Sequence, residues 1–157
     1  MQGIDAIIQI AASFLGTLGF GFLFNIRGKK LFWAALGGML SWALFLGLGL
    51  FIENEAIRYF IVSVCSTGYA EVMARVLKTP ASTFSITVLI PLVPGGAMYY
   101  TTIYALSGAT DLFIGKAVYT LELSVALSLG IVLVTAIAKY VSVLQRKRLC
   151  SQKLPKN

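Results

Sequence analysis

Apolar residues dominate five stretches of the chain, at positions 6–24, 31–52, 57–77, 82–106 and 117–144, and charged residues gather between them. At 1.5 Å per residue each stretch is long enough to cross a hydrocarbon core of about 30 Å as an α-helix. The pattern predicts an all-α fold, a polytopic membrane helix bundle of about five transmembrane helices within residues 1–144, followed by a basic tail at 145–157. The fourth stretch differs from the others. Its segment Ile90-Pro91-Leu92-Val93-Pro94-Gly95-Gly96 holds two prolines and two glycines. Each proline removes a backbone donor and clashes with the preceding turn, so this helix is expected to be broken. Halves at 82–90 and 95–106 measure about 14 and 18 Å, which places the break near the bilayer midplane. An alternative merges the third and fourth stretches into fewer, differently bounded helices.

Composition supports the membrane reading. Hydrophobic residues make up 58% of the 157 residues, charged residues 12%, and the mean hydropathy is +0.85. A soluble domain of this size exposes more charge. The chain has no histidine and two cysteines. That excludes the commonest metal ligand and general base, and neither a metal nor another cofactor is expected. Cys65 lies in an apolar stretch and Cys150 in the tail, which disfavours a disulfide between them. The first stretch begins with Asp5 in place of a basic n-region and shows no cleavage signature, so it reads as a retained span.

The net charge of +7 changes the picture only through its distribution. Basic residues flank the apolar stretches without forming a face or interleaving with aromatics, which argues against nucleic-acid binding. Arg27, Lys29, Lys30, Arg75, Lys78, Lys139 and the tail residues Arg146, Lys147, Arg148, Lys153 and Lys156 fall on one side; Arg58 and Lys116 fall on the other. The positive-inside rule then predicts an N-terminus outside and a C-terminus in the cytosol.

Small residues recur at helical spacing: Gly16, Gly19 and Gly21 in the first stretch, then Gly37 with Ser41, Ala43 with Gly47, Ser63 with Thr67, and Ser124 with Ser128. This spacing lets helix backbones approach closely, and bundle packing explains it better than ligand contact. No internal repeat is present. Many transporters hold substrate between paired repeats, so a single set of five helices implies a partner, either a related chain or a second copy.

Candidate chemistry centres on the break. The helix restarting at Gly95 offers free amides and the positive end of its dipole, a ready site for a carboxylate. Pro91, Pro94, Gly95, Gly96, Tyr99 and Thr101 are the candidate substrate-binding residues, with Thr87, Thr102, Tyr100 and Tyr104 as further lining. A proline kink held by neighbouring helices, or a purely structural re-entrant loop, is the alternative. Two acids lie inside apolar stretches. Glu71 sits about 9 Å from the end of its stretch with Arg75 one turn later, a gate or a paired interfacial rim. Glu122 sits about 8 Å into the fifth stretch, a candidate for proton coupling or, if the helix starts later, an interfacial acid.

Three segments carry a family resemblance: Phe20-Gly21-Phe22-Leu23-Phe24-Asn25 before a basic turn; Gly68-Tyr69-Ala70-Glu71-Val72-Met73-Ala74-Arg75 before Lys78-Thr79-Pro80-Ala81; and Ile90-Pro91-Leu92-Val93-Pro94-Gly95-Gly96 followed by Tyr99. Together they resemble the C-terminal five-helix half of the threonine/serine exporter family, over nearly the whole chain. The resemblance implies a bacterial inner-membrane exporter of small carboxylates, threonine and serine or a dicarboxylate such as succinate. It also implies a second subunit with a cytosolic N-terminal domain and five helices of its own. The matching positions are Glu71, Arg75, Pro91, Pro94 and Gly95; Gly96 departs from the other small residues, such as serine, found there, and Glu122 belongs to no motif of the family.

The leading expectation is therefore a subunit of a secondary transporter, not an enzyme. Gly95-Gly96 is not followed by Lys-Ser/Thr, so no ATP-binding loop is present. One alternative is an accessory subunit that scaffolds a partner holding the whole pathway. A membrane enzyme is disfavoured by the lack of histidine and of paired intramembrane carboxylates.

Overall fold

A computed structural model describes residues 2–152. Six α-helices are formed: α1 (Gln2–Leu23), α2 (Lys29–Leu48), α3 (Glu55–Val76), α4 (Ala81–Leu89), α5 (Gly95–Leu106) and α6 (Thr110–Gln152), with a 3-10 turn at Ile90–Leu92. The chain is a helical membrane bundle. α1, α2 and residues 110–144 of α6 are long and apolar enough to cross a membrane, and the pair bent by 62° at the α4–α5 break forms a fourth candidate span. α3 has 22 residues, a spanning length, but it carries Glu55, Arg58, Glu71 and Arg75 and is less apolar.

The ends of α1 and α3 share one solution. Ile26 N–H bonds Gly21 O and Asn25 N–H bonds Phe22 O, while Thr79 N–H bonds Ala74 O and Lys78 N–H bonds Arg75 O. Each pair is a Schellman closure, whose central residue must adopt the left-handed conformation. Asn25 (φ 57°) and Lys78 (φ 49°) do so. Pro80 then blocks continuation of α3, which separates the third and fourth stretches. At the other end of the bundle, the Asn54 side chain accepts from Ile57 N–H and caps α3.

Helix contacts use the small residues, although not all those singled out from spacing. Gly37 is buried where Tyr69 and Val88 close over it, and Gly38 faces Thr17. Ser41 donates to Ser66 at 2.7 Å. Gly16, Gly19 and Gly47 face open space, whereas Gly130 packs on Ser63 and the Phe60 carbonyl. α3 and α6 run parallel, because Tyr119 meets Glu55, Gly130 meets Ser63, and the Ala138 carbonyl accepts from Arg75 at 3.2 Å. Through the middle passes the short α4. Phe84, Val88 and Leu92 recur every four residues and are wholly buried. Ala34, Ala70 and Ala74 make room for the first two, and Phe45, Tyr59, Val62 and Leu123 enclose the third.

α6 begins at Thr110, so the connection expected over 107–116 is only a short turn at 107–109 with Gly108 at φ 72°. It also continues without interruption past position 144 to Gln152. The tail side chains expected to be basic and cytosolic lie outside the described side chains, and Lys153 and Lys156 lie outside the described residues.

Candidate functional site

The break is built from the prolines as expected, with one adjustment. Pro91 does not end the first arm; it is absorbed into the 3-10 turn, which lengthens that arm through Leu92. The arm is then about 18 Å long instead of 14 Å. The break accordingly sits off-centre, at the level of Trp42 and Phe45 in α2 and of Tyr59 and Val62 in α3. Those positions lie roughly 5–10 Å from the middles of the two helices, toward the end where α3 begins.

Pro94 stands at the cap position of α5, and Gly95 N–H bonds back to Val93 O at 2.6 Å. The amides of Gly96 and Ala97 have no backbone acceptor among the described residues. They are the free first-turn donors of α5. An added Cβ at Gly95 or Gly96 meets nothing within 4 Å, so both glycines border open space.

That space is a cavity of about 330 Å³, bordered by residues 93–97 on one side and by Glu55, Tyr59, Tyr100, Lys116 and Tyr119 on the others. Its charged groups are organised. The Glu55 carboxylate receives the Tyr119 hydroxyl and lies 3.3 Å from Arg58. Arg58 in turn stacks over the Phe45 ring, 4.9 Å from its centroid. The Lys116 ammonium sits 4.7 Å from the Tyr119 ring centroid and 5.9 Å from that of Tyr100. Among the described residues Lys116 makes no ion pair. The negative charge of Glu55 is thus matched within the protein, while Lys116 and the α5 amides face the cavity unmatched. Such an arrangement attracts an anion.

The cavity brings together Pro94, Gly95 and Gly96 of the candidate substrate-binding residues and Tyr100 of the further lining. The others lie elsewhere. Pro91 borders a separate cavity of about 260 Å³ with Gln9, Ser13 and Trp42. Tyr99 is exposed, its ring set edge-on to Tyr100. Thr101 faces α6, bonded to the Ala97 carbonyl and 3.0 Å from the Thr120 hydroxyl. Glu71 and Arg75 are paired at 3.8 Å at the opposite end of α3, where Arg75 also reaches α6. Glu122 is exposed beside Glu53 and Asn54, level with the start of α3, and makes no ion pair among the described residues. No group of three or more His, Cys, Asp or Glu residues able to hold a metal occurs among the described residues.

Glu55, Tyr59, Lys116 and Tyr119 were not legible as a site. Glu55 and Lys116 read as loop charges, because the apolar pattern starts after each of them. Their one local signal was Lys116 followed three residues later by Tyr119, which places both on one helix face.

No curated protein and no solved structure matches the chain. The family model described as Threonine/Serine exporter, ThrE, matches residues 9–137, from the middle of α1 to the level of Arg75 on α6. The chain belongs to the threonine/serine exporter family.

Proposed function

We propose that the chain is one subunit of a secondary exporter that carries small carboxylate metabolites (threonine, serine or a dicarboxylate such as succinate) across the bacterial inner membrane. Membership of an exporter family, not an enzyme family, supports transport. One observation carries the assignment of the site: the unpaired amides of Gly96 and Ala97 share a cavity with the unpaired Lys116. With the N-terminus outside and the C-terminus cytosolic, as the basic residues favour, this cavity opens toward the outer face. The pathway is completed by a second chain, either the subunit with a cytosolic N-terminal domain and five helices or another copy. The α5 helix supports this reading, since none of its residues is buried and Tyr99 and Tyr100 are at least half exposed.

The test is efflux of labelled threonine, serine and succinate from cells with and without the chain and its partner. A Gly95→Leu chain should insert normally, because the added side chain enters open space, and should lose efflux. Undiminished efflux by that variant would remove the site from the pathway. Efflux by the partner alone would instead make this chain a scaffold.

A further inference from the structure

The two Schellman turns lie side by side at the end of the bundle opposite the cavity, and a groove of about 580 Å³ opens between them. Its walls come from residues 24–27 and Lys30 of the first turn and from Thr79 and Pro80 of the second. Arg27 and Lys30 supply two positive charges, and among the described residues no carboxylate lines the groove. α2 and α4 both start here, and neither has a side-chain cap on its first amides. One flank of the groove continues into an apolar fringe. Phe22 is 66% exposed, Leu23 78% and Phe32 53%, and the half-exposed Phe24 belongs to both fringe and groove.

We propose that this groove holds the phosphate of an anionic phospholipid, with the acyl chains lying along Phe22, Leu23 and Phe32. The spanning helices α1 and α2 are joined at this end, so a headgroup arrives at the height of Arg27 and Lys30. Basic pockets between membrane helices recognise anionic headgroups through charge, and aromatic residues favour the same depth. A free anion would use the charges alone and leave the fringe without a role. The apolar flank therefore selects a lipid over a soluble phosphate. The Asn25 and Lys78 turns fix the groove's shape, because their left-handed residues set the directions in which the two chains leave.

Native mass spectrometry of the detergent-purified full chain, with phosphatidylglycerol or phosphatidylcholine added, tests this assignment. The chain should retain phosphatidylglycerol in preference to phosphatidylcholine. Replacing Arg27→Gln together with Lys30→Gln should weaken phosphatidylglycerol retention roughly thirtyfold, at the usual contribution of a surface cation to anionic-lipid binding. A charge-matched control, Lys139→Gln with Lys147→Gln, should retain it. The conservative pair Arg27→Lys with Lys30→Arg should also retain it, which guards against reading misfolding as loss of binding. Equal retention of the two lipids, or equal loss in the control pair, would overturn the proposal. So would displacement of the lipid by millimolar inorganic phosphate, which would mark the groove as a site for soluble anions.

Discussion

The Tyr119 hydroxyl of α6 donates to the Glu55 carboxylate at the first residue of α3, 64 positions away in sequence. This contact fixes the height of α3 against α6 and closes one side of the cavity next to the restart at Gly95. Glu55 is also the partner of Arg58, so one carboxylate holds both a neighbouring helix and its own first turn. Its place at the start of α3 favours the negative charge, since the helix dipole is positive there.

Removing that hydroxyl has a measurable consequence. Tyr119→Phe keeps the ring under Lys116 but leaves Glu55 one donor short. Glu55 is 42% exposed at its side chain, so water replaces part of the loss. The expected cost is about 1 kcal/mol, read as a lowered thermal midpoint in detergent. A Glu55→Ala change combined with Tyr119→Phe should cost less than the two singly measured effects together, because both remove the same contact. Additive effects would show that the two residues stabilise the bundle independently.

Lys116 is the cation that the cavity leaves unmatched. Lys116→Gln should raise the half-saturating substrate concentration about tenfold, the change expected from one charge-assisted hydrogen bond to a carboxylate. Lys116→Arg should cost less, since it keeps the charge over the Tyr119 ring. Concentration dependence of efflux separates the two cases. An unchanged half-saturation in Lys116→Gln would move the substrate's carboxylate away from this residue.

The apolar stretches and the helix break were legible because lipid permits few alternatives. Once a 20-residue apolar run is present, a helix is forced, and Pro91-Leu92-Val93-Pro94 can hardly continue one. The site was less legible, because it joins residues that no local pattern connects. Glu55 and Lys116 stand at the edges of apolar stretches, where charge is expected for topology alone. Only the parallel alignment of α3 and α6 brings them to the same cavity, and that alignment depends on Gly130 meeting Ser63. The spacing of small residues indicated close packing without indicating which glycines take part. Gly38 and Gly130 do, while Gly16 and Gly47 do not. Periodicity identifies a face, whereas the neighbour across it decides whether the face is covered.

That difference separates two classes of glycine substitution. A Cβ at Gly130 comes within 3.0 Å of the Phe60 carbonyl and meets the Ser63 side chain, so Gly130→Leu must push α6 away from α3. The expected loss is about 1–3 kcal/mol or more, read as a lower yield of monodisperse protein and a lower unfolding midpoint. Gly96→Ala places a methyl in open space and should fold like the parent. Equal damage from both would mean that the α5 start is packed against something that this chain alone does not provide.

Lys78 holds a left-handed conformation that costs a side-chain-bearing residue about 1–2 kcal/mol. Glycine escapes this cost but loses about 0.5–1 kcal/mol through its freer unfolded chain. Lys78→Gly should therefore leave stability unchanged or raise it by up to about 1.5 kcal/mol, the difference between those two effects. Lys78→Val should destabilise, because a β-branched side chain tolerates φ of 49° poorly. The Schellman bonds from Thr79 to Ala74 and from Lys78 to Arg75 are main-chain bonds, and both variants can make them. Thermal unfolding of the two variants in the same detergent isolates the backbone effect. If glycine destabilised as much as valine, the ammonium of Lys78 and not its conformation would be what the turn requires.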